Sequence, residues 1–312
     1  MAENIGYGKV ILFGEHYVVY GLSGIAGAME HYVKAKIEKG EGKGFTLIDN
    51  RPETPGYKEK KREEIYKAIE LMIKFLNIDL EKNPIKIILD GTLVCTSGNG
   101  SSSAMSTAIA RALSGYFDLG MDDDKINEVS YEGEKASAGT PSGIDNTCAT
   151  FGGLLIFRKN MEGGPNFIEK ITVKEPIEIV IANTGITQST KEVVADLRKA
   201  KESEPEKYER IFREYDQVFE EGKKALGDHD LKKLGELFDK NQDLLRESTI
   251  SCDEIETIVR VAKDNGALGA KLTGTGRGGN VIALTPGKDL QDKVAEAIEK
   301  EGFMTTKTRI GV

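Results

Sequence analysis

The chain has 312 residues, of which 39% are hydrophobic and 30% are charged, and its net charge is −8. These values are typical of a globular protein of one large or two medium domains. No apolar run approaches the ~20 residues that would cross a bilayer, and the excess of acidic residues argues against a general nucleic-acid-binding function.

Two features of the sequence bear on where the protein acts. The segment MAENIGYGKV lacks the basic and then apolar layout of a secretion signal, so we expect a cytoplasmic protein that has no membrane partner. The three cysteines, Cys95, Cys148 and Cys252, are far apart and have no His or Cys at metal-ligand spacing. They therefore support neither a disulfide framework nor a zinc site.

Strands and helices alternate along the first half of the chain. Short segments of branched and aromatic residues predict strands at Lys9–Gly14, Val33–Ile37, Phe45–Ile48, Ile85–Leu89 and Leu154–Phe157. The segment REEIYKAIELMIKFL places apolar residues on one helical face, and a second amphipathic pattern runs through Met105, Ile109 and Leu113. The first half is therefore predicted to be mixed α and β.

The pattern starts again after a predicted loop at Lys159–Lys170. A strand is expected at Ile177–Ala182, long charged amphipathic helices between Glu204 and Val261, and a strand at Val281–Leu284. We place a boundary near residue 170, which gives predicted domains of residues 1–170 and 171–312.

A glycine- and serine-rich segment, TSGNGSSSAMSTAIARAL, leads directly into the second amphipathic helix. Gly98 and Gly100 can take positive φ, and Ser101, Ser102 and Ser103 offer hydroxyl groups at a helix end whose free N–H groups attract anions. This pattern is typical of a phosphate-binding loop, although it lacks the lysine of the Walker motif. The alternative is a serine N-cap on a surface helix with glycines in an ordinary turn.

Three further segments carry candidate functional residues. GKVILFGEHYVVYG contains Lys9, Glu15 and His16, and a lone histidine is more often structural than catalytic. EKASAGTPSGIDNTCATFGG contains Glu134 and Asp145, and the aspartate could instead bond its own backbone in a turn. GALGAKLTGTGRGGNVIALT has six glycines, which indicate either a second anion-binding loop or a tight turn between strands.

In this order the four segments resemble the GHMP kinase superfamily, which is named for galacto-, homoserine, mevalonate and phosphomevalonate kinases. The resemblance covers nearly the whole chain and is strongest to the mevalonate-phosphorylating branch. It implies an α+β, two-domain GHMP kinase fold, with an N-terminal domain like domain 2 of ribosomal protein S5 and a ferredoxin-like C-terminal domain. It also implies ATP-dependent phosphorylation of the C5 hydroxyl of mevalonate to 5-phosphomevalonate in isoprenoid biosynthesis, and it is compatible with a homodimer.

The resemblance also assigns roles to residues. Asp145 and Lys9 would be catalytic, and Ser102 and Glu134 would bind Mg²⁺. Glu15, His16 and Gly143 would contact the acceptor. The nucleotide would be held by two glycine-rich loops, through the residues Gly98, Asn99, Gly100, Ser101, Ser102, Ser103, Gly274 and Gly276.

The sequence departs from the family pattern in places, and rival functions follow from related folds. Asn99 stands where the family has leucine, and Arg277 stands where a small residue is usual and could face a phosphate, solvent or a domain contact. The acceptor could instead be phosphomevalonate, homoserine or a sugar. A decarboxylase like diphosphomevalonate decarboxylase and a non-catalytic nucleotide or metabolite sensor are the remaining alternatives.

Overall fold

The structure is a computed structural model that describes residues 4–96, 98–138, 141–164 and 166–312. The chain divides into two compact units. Unit 1 takes in the chain up to Lys9 and Ala28–Gly152, and unit 2 takes in Val10–Gly27 and Gly153–Val312. These boundaries differ from the predicted division at residue 170, which stays a prediction about folding domains.

Among the described residues there are ten strands and ten α-helices, with a short 3₁₀ helix at Tyr17–Tyr20. The strands are β1 (Ile5–Phe13), β2 (Ser23–Lys39), β3 (Phe45–Asp49), β4 (Ile85–Gly91), β5 (Leu154–Arg158), β6 (Phe167–Ile171), β7 (Ile177–Asn183), β8 (Gly269–Thr273), β9 (Asn280–Leu284) and β10 (Met304–Ile310). The helices are α1 (Tyr57–Lys60), α2 (Arg62–Phe75), α3 (Ser101–Tyr116), α4 (Asp123–Ala138), α5 (Ile144–Phe151), α6 (Thr190–Ser203), α7 (Pro205–Asp228), α8 (Leu231–Glu247), α9 (Asp253–Asp264) and α10 (Lys288–Lys300).

In unit 1, four helices pack together beside a small sheet. β4 pairs parallel with β3 and antiparallel with the second half of β2, with Ala35 opposite Leu89. Helices α2, α3, α4 and α5 contact one another, and Ile69, Met72 and Ile109 are among their fully buried side chains. α3 and α4 approach closely because residue 133 is glycine, since a Cβ there would lie 2.7 Å from Ser106 Oγ.

Unit 2 contains a four-stranded antiparallel sheet in the order β10, β7, β9, β8. Along the chain the order is β7, helices, β8, β9, α10 and β10, which is the ferredoxin-like βαββαβ arrangement. Helices α8, α9 and α10 contact this sheet. A separate antiparallel ladder joins β5 to Ser23–Gly27 of β2 and to β6.

The predicted elements are found, but three strands, half of another strand and the helices α1, α4, α5, α6 and α10 were not predicted. β6 lies partly inside the predicted loop at Lys159–Lys170. β8 and the first half of β2 are rich in glycine, and β10 (MTTKTRI) is mostly polar, so none of them has the apolar alternation from which a strand is predicted. Their strand form comes from pairing with neighbouring strands rather than from local sequence.

Candidate active site

The glycine- and serine-rich loop turns into α3 as predicted. Gly98 and Gly100 have φ of 89° and 74°, and Gly100 is the N-cap of α3, which begins at Ser101. A Cβ at position 100 would lie 2.8 Å from Lys9 Cγ, so the backbone here passes directly against that lysine. The N-cap glycine has no side chain, so the N–H groups that follow Ser101 in the first turn are left to face an anion.

The side chain of Asn99 holds this loop in place through two hydrogen bonds. Its Nδ2 donates to the carbonyl of Val94 at 2.7 Å, and its Oδ1 accepts from the N–H of Ser101 at 3.2 Å. Its own carbonyl accepts from the N–H of Lys9 at 2.9 Å. The asparagine side chain, in place of the family's leucine, therefore ties the loop to the backbone of Val94 and to the start of α3, while the main-chain carbonyl ties it to β1. Ser97 and Gly139–Thr140 of the quoted motifs lie outside the described residues.

Two of the loop serines face the glutamate that the sequence singled out. Ser102 Oγ donates to Glu134 Oε1 at 2.9 Å, across from α3 to α4. Ser103 Oγ is buried and has no hydrogen-bond partner among the described residues. The same hydroxyl opposes the rise in the pKa of the Glu134 carboxyl, so it lies close to that carboxylate.

Lys9 and Asp145 form an ion pair. Lys9 Nζ is 3.0 Å from Asp145 Oδ1, the lysine is 8% exposed, and the aspartate side chain is 38% exposed. Asp145 lies in the first turn of α5, whose N-cap is Gly143 with φ of 87°. A carboxylate at this position is favoured by the helix dipole. Asp145 therefore lies in the first turn of α5 and also has Lys9 as a charged partner.

Burial and neighbouring charges set the protonation of this cluster. Burial by itself would lower the pKa of Lys9, but the Asp145 carboxylate, its hydrogen bond and nearby Glu134 raise it above its ordinary value. Burial raises the pKa of Glu134, and repulsion from Asp145 adds to this, although the loop serines oppose it. The site therefore holds a charged lysine beside two acids whose charges repel each other.

A cavity of about 300 Å³ in unit 1 joins these groups. The predicted residues that line it are Gly98, Gly100, Ser101, Ser102, Ser103, Glu134 and Asp145. The sequence interpretation missed its other polar lining, which comes from the loop after β3 and from α1 and α2: Arg51, Tyr57, Lys58, Lys61 and Glu64.

Buried contacts hold the basic part of that lining in place. Arg51 is 3% exposed, and its Nε and Nη2 donate to the two carboxylate oxygens of Asp49 at 2.8 and 2.6 Å. Lys58 Nζ donates to the carbonyls of Asp49 and Arg51 at 3.0 and 2.9 Å. In the sequence these residues stand in a polar stretch that has the composition of a surface loop, so no local signal marks them.

The remaining predicted site residues belong to unit 2. Glu15 is fully buried, where it forms an ion pair with Lys271 and accepts from Asn241 Nδ2 at 3.4 Å. His16 Nε2 donates to the carbonyl of Thr275 at 2.5 Å, and burial lowers the pKa of its ring. In the sequence, Lys271 stands between apolar residues in the segment AKL, which indicates a buried lysine that needs an acidic partner. The sequence interpretation did not use this indication.

The third glycine-rich segment forms a loop between β8 and β9. Gly274 and Gly276 have φ of 89° and 74°, and Arg277 also has a positive φ of 52°. The guanidinium of Arg277 pairs with Asp196 Oδ2 at 2.7 Å and donates to the carbonyl of Thr249 at 3.0 Å. In this structure Arg277 therefore braces its own unit.

Family models match both halves of the chain. The model described as "GHMP kinases N terminal domain" matches residues 63–153, and "GHMP kinases C terminal" matches residues 223–303. The mevalonate kinase of Pyrococcus horikoshii is 33% identical over 97% of this chain and 93% of that protein. The chain belongs to the GHMP kinases. The predicted two-domain α+β fold is confirmed by the same comparisons.

Solved structures place this GHMP kinase beside the mevalonate kinases. The L. major mevalonate kinase in complex with R-mevalonate is 38% identical, with a TM-score of 0.96 over 99% of this chain and 96% of that one. The Methanococcus jannaschii mevalonate kinase is 26% identical, with a TM-score of 0.82 over 98% and 97%. Among the described residues, no helix of this GHMP kinase has the length and apolarity that crossing a membrane requires.

Proposed function

We infer that this GHMP kinase transfers the γ-phosphoryl group of ATP to the C5 hydroxyl of mevalonate and so forms 5-phosphomevalonate, a precursor of isoprenoids. The observation that carries this conclusion is the likeness to the mevalonate-bound L. major enzyme, at a TM-score of 0.96 and 38% identity over nearly the whole chain. Relatives named mevalonate kinase that match more than nine tenths of the chain support it.

We propose that Asp145 and Lys9 are the catalytic pair. In the reaction a bond forms between the C5 oxygen and the γ-phosphorus, the bond to the β-phosphate oxygen breaks, and ADP leaves. The Asp145 carboxylate, 38% exposed at the cavity, would accept the hydroxyl proton. The buried ammonium of Lys9 would hold that carboxylate in place and offset negative charge as the phosphoryl group moves.

The nucleotide is proposed to lie with its phosphates at the amino end of α3. Support comes from the N–H groups that follow Ser101 in the first turn of the helix and from the positive φ of Gly98 and Gly100. Asn99 would act by holding the loop rather than through its side chain, since both of its amide atoms already have protein partners. Gly274 and Gly276 stay predicted as further nucleotide contacts.

The donor set beside this loop fits Mg²⁺. Glu134 and Ser102 offer a carboxylate and a hydroxyl 2.9 Å apart, and the repulsion between Glu134 and Asp145 is the kind of imbalance that a bound cation relieves. No group of three or more His, Cys, Asp or Glu side chains is poised for a metal in the described part of the chain, so phosphate and water oxygens would complete the shell. When bound, Mg²⁺ would neutralise phosphate charge.

The acceptor contacts remain predictions. His16 and Gly143 are proposed to contact mevalonate, and Glu15 is retained with them although its carboxylate is paired with Lys271 in the interior of unit 2. We also propose a cytoplasmic enzyme with no nucleic-acid partner, and a homodimer that light scattering of the purified protein would reveal.

An acceptor panel in a coupled ADP-release assay tests the function. We expect turnover with mevalonate at least about 100-fold above that with phosphomevalonate, homoserine or galactose, because a site that pairs with one set of polar groups rejects ligands lacking them. Carbon dioxide release from diphosphomevalonate would indicate the decarboxylase instead. ATP binding without turnover of any acceptor would indicate a sensor.

A further inference from the structure

A set of buried hydroxyl groups joins the three helices that carry the proposed reacting residues. Thr107 Oγ1 on α3 lies 2.8 Å from Ser130 Oγ on α4 and 3.2 Å from Thr150 Oγ1 on α5. Ser130 Oγ also lies 3.5 Å from the carbonyl oxygen of Ser103, in the first turn of α3. Thr107 and Ser130 are fully buried, and Thr150 is 2% exposed. We call these three side chains the hydroxyl network.

One order of donors satisfies the hydroxyl network. Thr150 donates to Thr107, Thr107 donates to Ser130, and Ser130 donates to the carbonyl of Ser103. Any other order leaves a buried hydroxyl hydrogen without an acceptor, which costs about 1–3 kcal/mol. The hydrogen bonds therefore run in one direction, from α5 through α3 and α4 to the backbone beside the phosphate-binding loop.

Each member of the hydroxyl network lies about one helical turn from a proposed functional group on its own helix. Thr107 follows Ser102 by five residues on α3, and Ser130 precedes Glu134 by four residues on α4. Thr150 follows Asp145 by five residues on α5. At 1.5 Å of rise per residue these separations are roughly 6–8 Å along each helix.

Hydrogen bonds between these helices fix their relative positions more closely than apolar contacts do. Apolar surfaces stay in contact when a helix slides or turns by an ångström, whereas an O–H···O bond depends on the oxygen separation and on a defined direction, and the Thr107–Ser130 bond at 2.8 Å is the shortest of the three. At the α5 end, Arg111 of α3 holds the main chain of Thr150, since its Nη2 donates to the carbonyl of Thr150 at 2.7 Å and its Nη1 to that of Ile5 at 3.2 Å. At the other end, the hydroxyl network reaches the backbone through the carbonyl of Ser103.

We propose that the hydroxyl network sets the relative positions of Ser102, Glu134 and Asp145 for phosphoryl transfer. Thr107 is its central positioning residue, because it alone among the three contacts side chains on both other helices. The proposal rests on the proposed function, since it assumes that these three groups act on one bound nucleotide.

The test compares two substitutions of neighbouring residues on α3. Thr107→Val keeps the branched shape and removes the hydroxyl. Ser106→Ala is the matched control, because Ser106 is equally buried and its hydroxyl has no partner in the described chain. We expect Thr107→Val to lower kcat about 10- to 100-fold, since a misplacement near 1 Å can cost that much. Ser106→Ala should stay within about 2-fold of the wild-type kcat.

Three further measurements separate positioning from a loss of fold. Thr107→Ser, which restores the hydroxyl, should recover most of kcat. KM for mevalonate should change little while the Mg²⁺ concentration needed for half-maximal rate rises, with the melting temperature of every variant measured alongside. If Thr107→Val does not fold, Ser130→Ala removes the neighbouring contact from α4 and should show the same pattern.

Equal kcat losses in Thr107→Val and Ser106→Ala, or a wild-type kcat in Thr107→Val, would overturn the proposal. Should the wild-type protein fail to turn over mevalonate, the proposed function falls while the hydroxyl network is still tested. In that case Mg²⁺-dependent affinity for a fluorescent ATP analogue is the readout. It should weaken in Thr107→Val and not in Ser106→Ala, and no difference between them would reject the positioning role.

Discussion

Removing Asp145 and removing Lys9 should have different effects on the stability of the folded protein. Lys9 is buried and has no second carboxylate partner among the described ion pairs, whereas Asp145 is partly open to solvent. Losing the aspartate therefore strands a buried charge, and losing the lysine leaves a carboxylate that water can still reach. The pair that we propose to be catalytic therefore also contributes to stability.

Asp145→Asn should lower kcat by roughly 10²–10⁴-fold if the carboxylate accepts the hydroxyl proton. The melting temperature should also fall, because the amide cannot compensate the charge of Lys9. Steady-state kinetics and calorimetry measure the two effects. Asp124→Asn, an exposed acid in the first turn of α4, serves as the control and should change neither. A variant with near-wild-type kcat would rule out the proton-acceptor role of Asp145.

The ionised carboxylate of Glu134, the proposed Mg²⁺ ligand, lowers the stability of the folded nucleotide-free protein. Burial and the nearby Asp145 raise its pKa, so its ionised form is less favourable in the folded chain than in the unfolded chain. An acid of this kind makes the folded state less stable as pH rises from its unfolded pKa through its folded pKa. In the nucleotide-free protein the ionised form of Glu134 is therefore an unfavourable charge.

Glu134→Gln should raise the melting temperature of the nucleotide-free protein by about 2 °C and sharply weaken the Mg²⁺ dependence of ATP binding. In the wild type, Mg²⁺ affinity should begin to fall at a pH above the ordinary value of 4.5 for a glutamate. Differential scanning calorimetry and Mg²⁺ titrations between about pH 5 and pH 8 measure both effects. Glu128→Gln, an exposed residue of the same helix, should leave them unchanged. A destabilised Glu134→Gln would contradict this account.

At the residue scale, the sequence pointed to residues that the structure brings together, but not to the residues that support them. Lys9, Ser102, Glu134 and Asp145 stand in motifs with distinctive neighbours, and the structure gathers them around one cavity or its edge. Arg51 and Thr107 carry no such signal, because their roles depend on which backbone or side-chain atoms lie across from them. Only the packing of separate elements supplies that information.

At the scale of elements, the start of α3 joins local conformation to binding. Gly100 has a positive φ that L side chains rarely adopt, and the absent Cβ leaves room for Lys9. The same glycine ends the loop and begins the helix. One position therefore determines both the direction of the helix N–H groups and the close approach of Lys9.

Gly100→Ala should weaken ATP binding about 10-fold or more, because the added Cβ collides with Lys9 and strains the turn that presents the helix N–H groups. Gly120→Ala is a close control, since Gly120 has φ of 60° and nothing within 4 Å of the added carbon. Isothermal titration with an ATP analogue compares the two variants. Equal affinities of the two variants would contradict the prediction, because neither the collision with Lys9 nor the strained turn would then affect nucleotide binding.

The elements that sequence predicted best are those whose own residues determine them. Helices α7, α8 and α9 each have a continuous apolar face and lie within the predicted helical region. β8 and β10 are strands because β9 and β7 supply their hydrogen-bonding partners. A single sequence shows periodicity but not partners, so strands of this kind escape it.

At the scale of the whole molecule, unit 2 is assembled from two separate stretches of chain. The stretch Val10–Gly27 is held to the rest of unit 2 by polar contacts: Thr273 Oγ1 donates to the carbonyl of Ile11 at 2.8 Å, and Tyr215 OH donates to that of Ser23 at 2.6 Å. The ion pair of Glu15 and Lys271 is the charged contact between the two stretches, and both side chains are fully buried. Neither side chain has a second oppositely charged partner among the described ion pairs, so the pair favours one arrangement of the two stretches.

Lys271→Met should lower the free energy of unfolding by about 3–5 kcal/mol, because it leaves the Glu15 carboxylate buried without its cation. Adding Glu15→Gln should recover much of that loss, since the pair is then replaced by neutral groups. Lys307→Met breaks a half-exposed pair with Asp292 at 2.5 Å and should cost less than about 1 kcal/mol. Chemical denaturation of the four proteins gives these values.

The same substitution makes a prediction about pH with a definite sign. Burial already raises the pKa of Glu15 in the intact pair, and Lys271 opposes that rise. Without the lysine the pKa rises further, so Lys271→Met should gain stability relative to wild type as pH falls from about 8 to about 5, when Glu15 takes up a proton. Melting curves of both proteins across this range measure the difference. A stability difference that is independent of pH would mean that Glu15 is neutral throughout, and that the two stretches of unit 2 are joined by shape and hydrogen bonds rather than by charge.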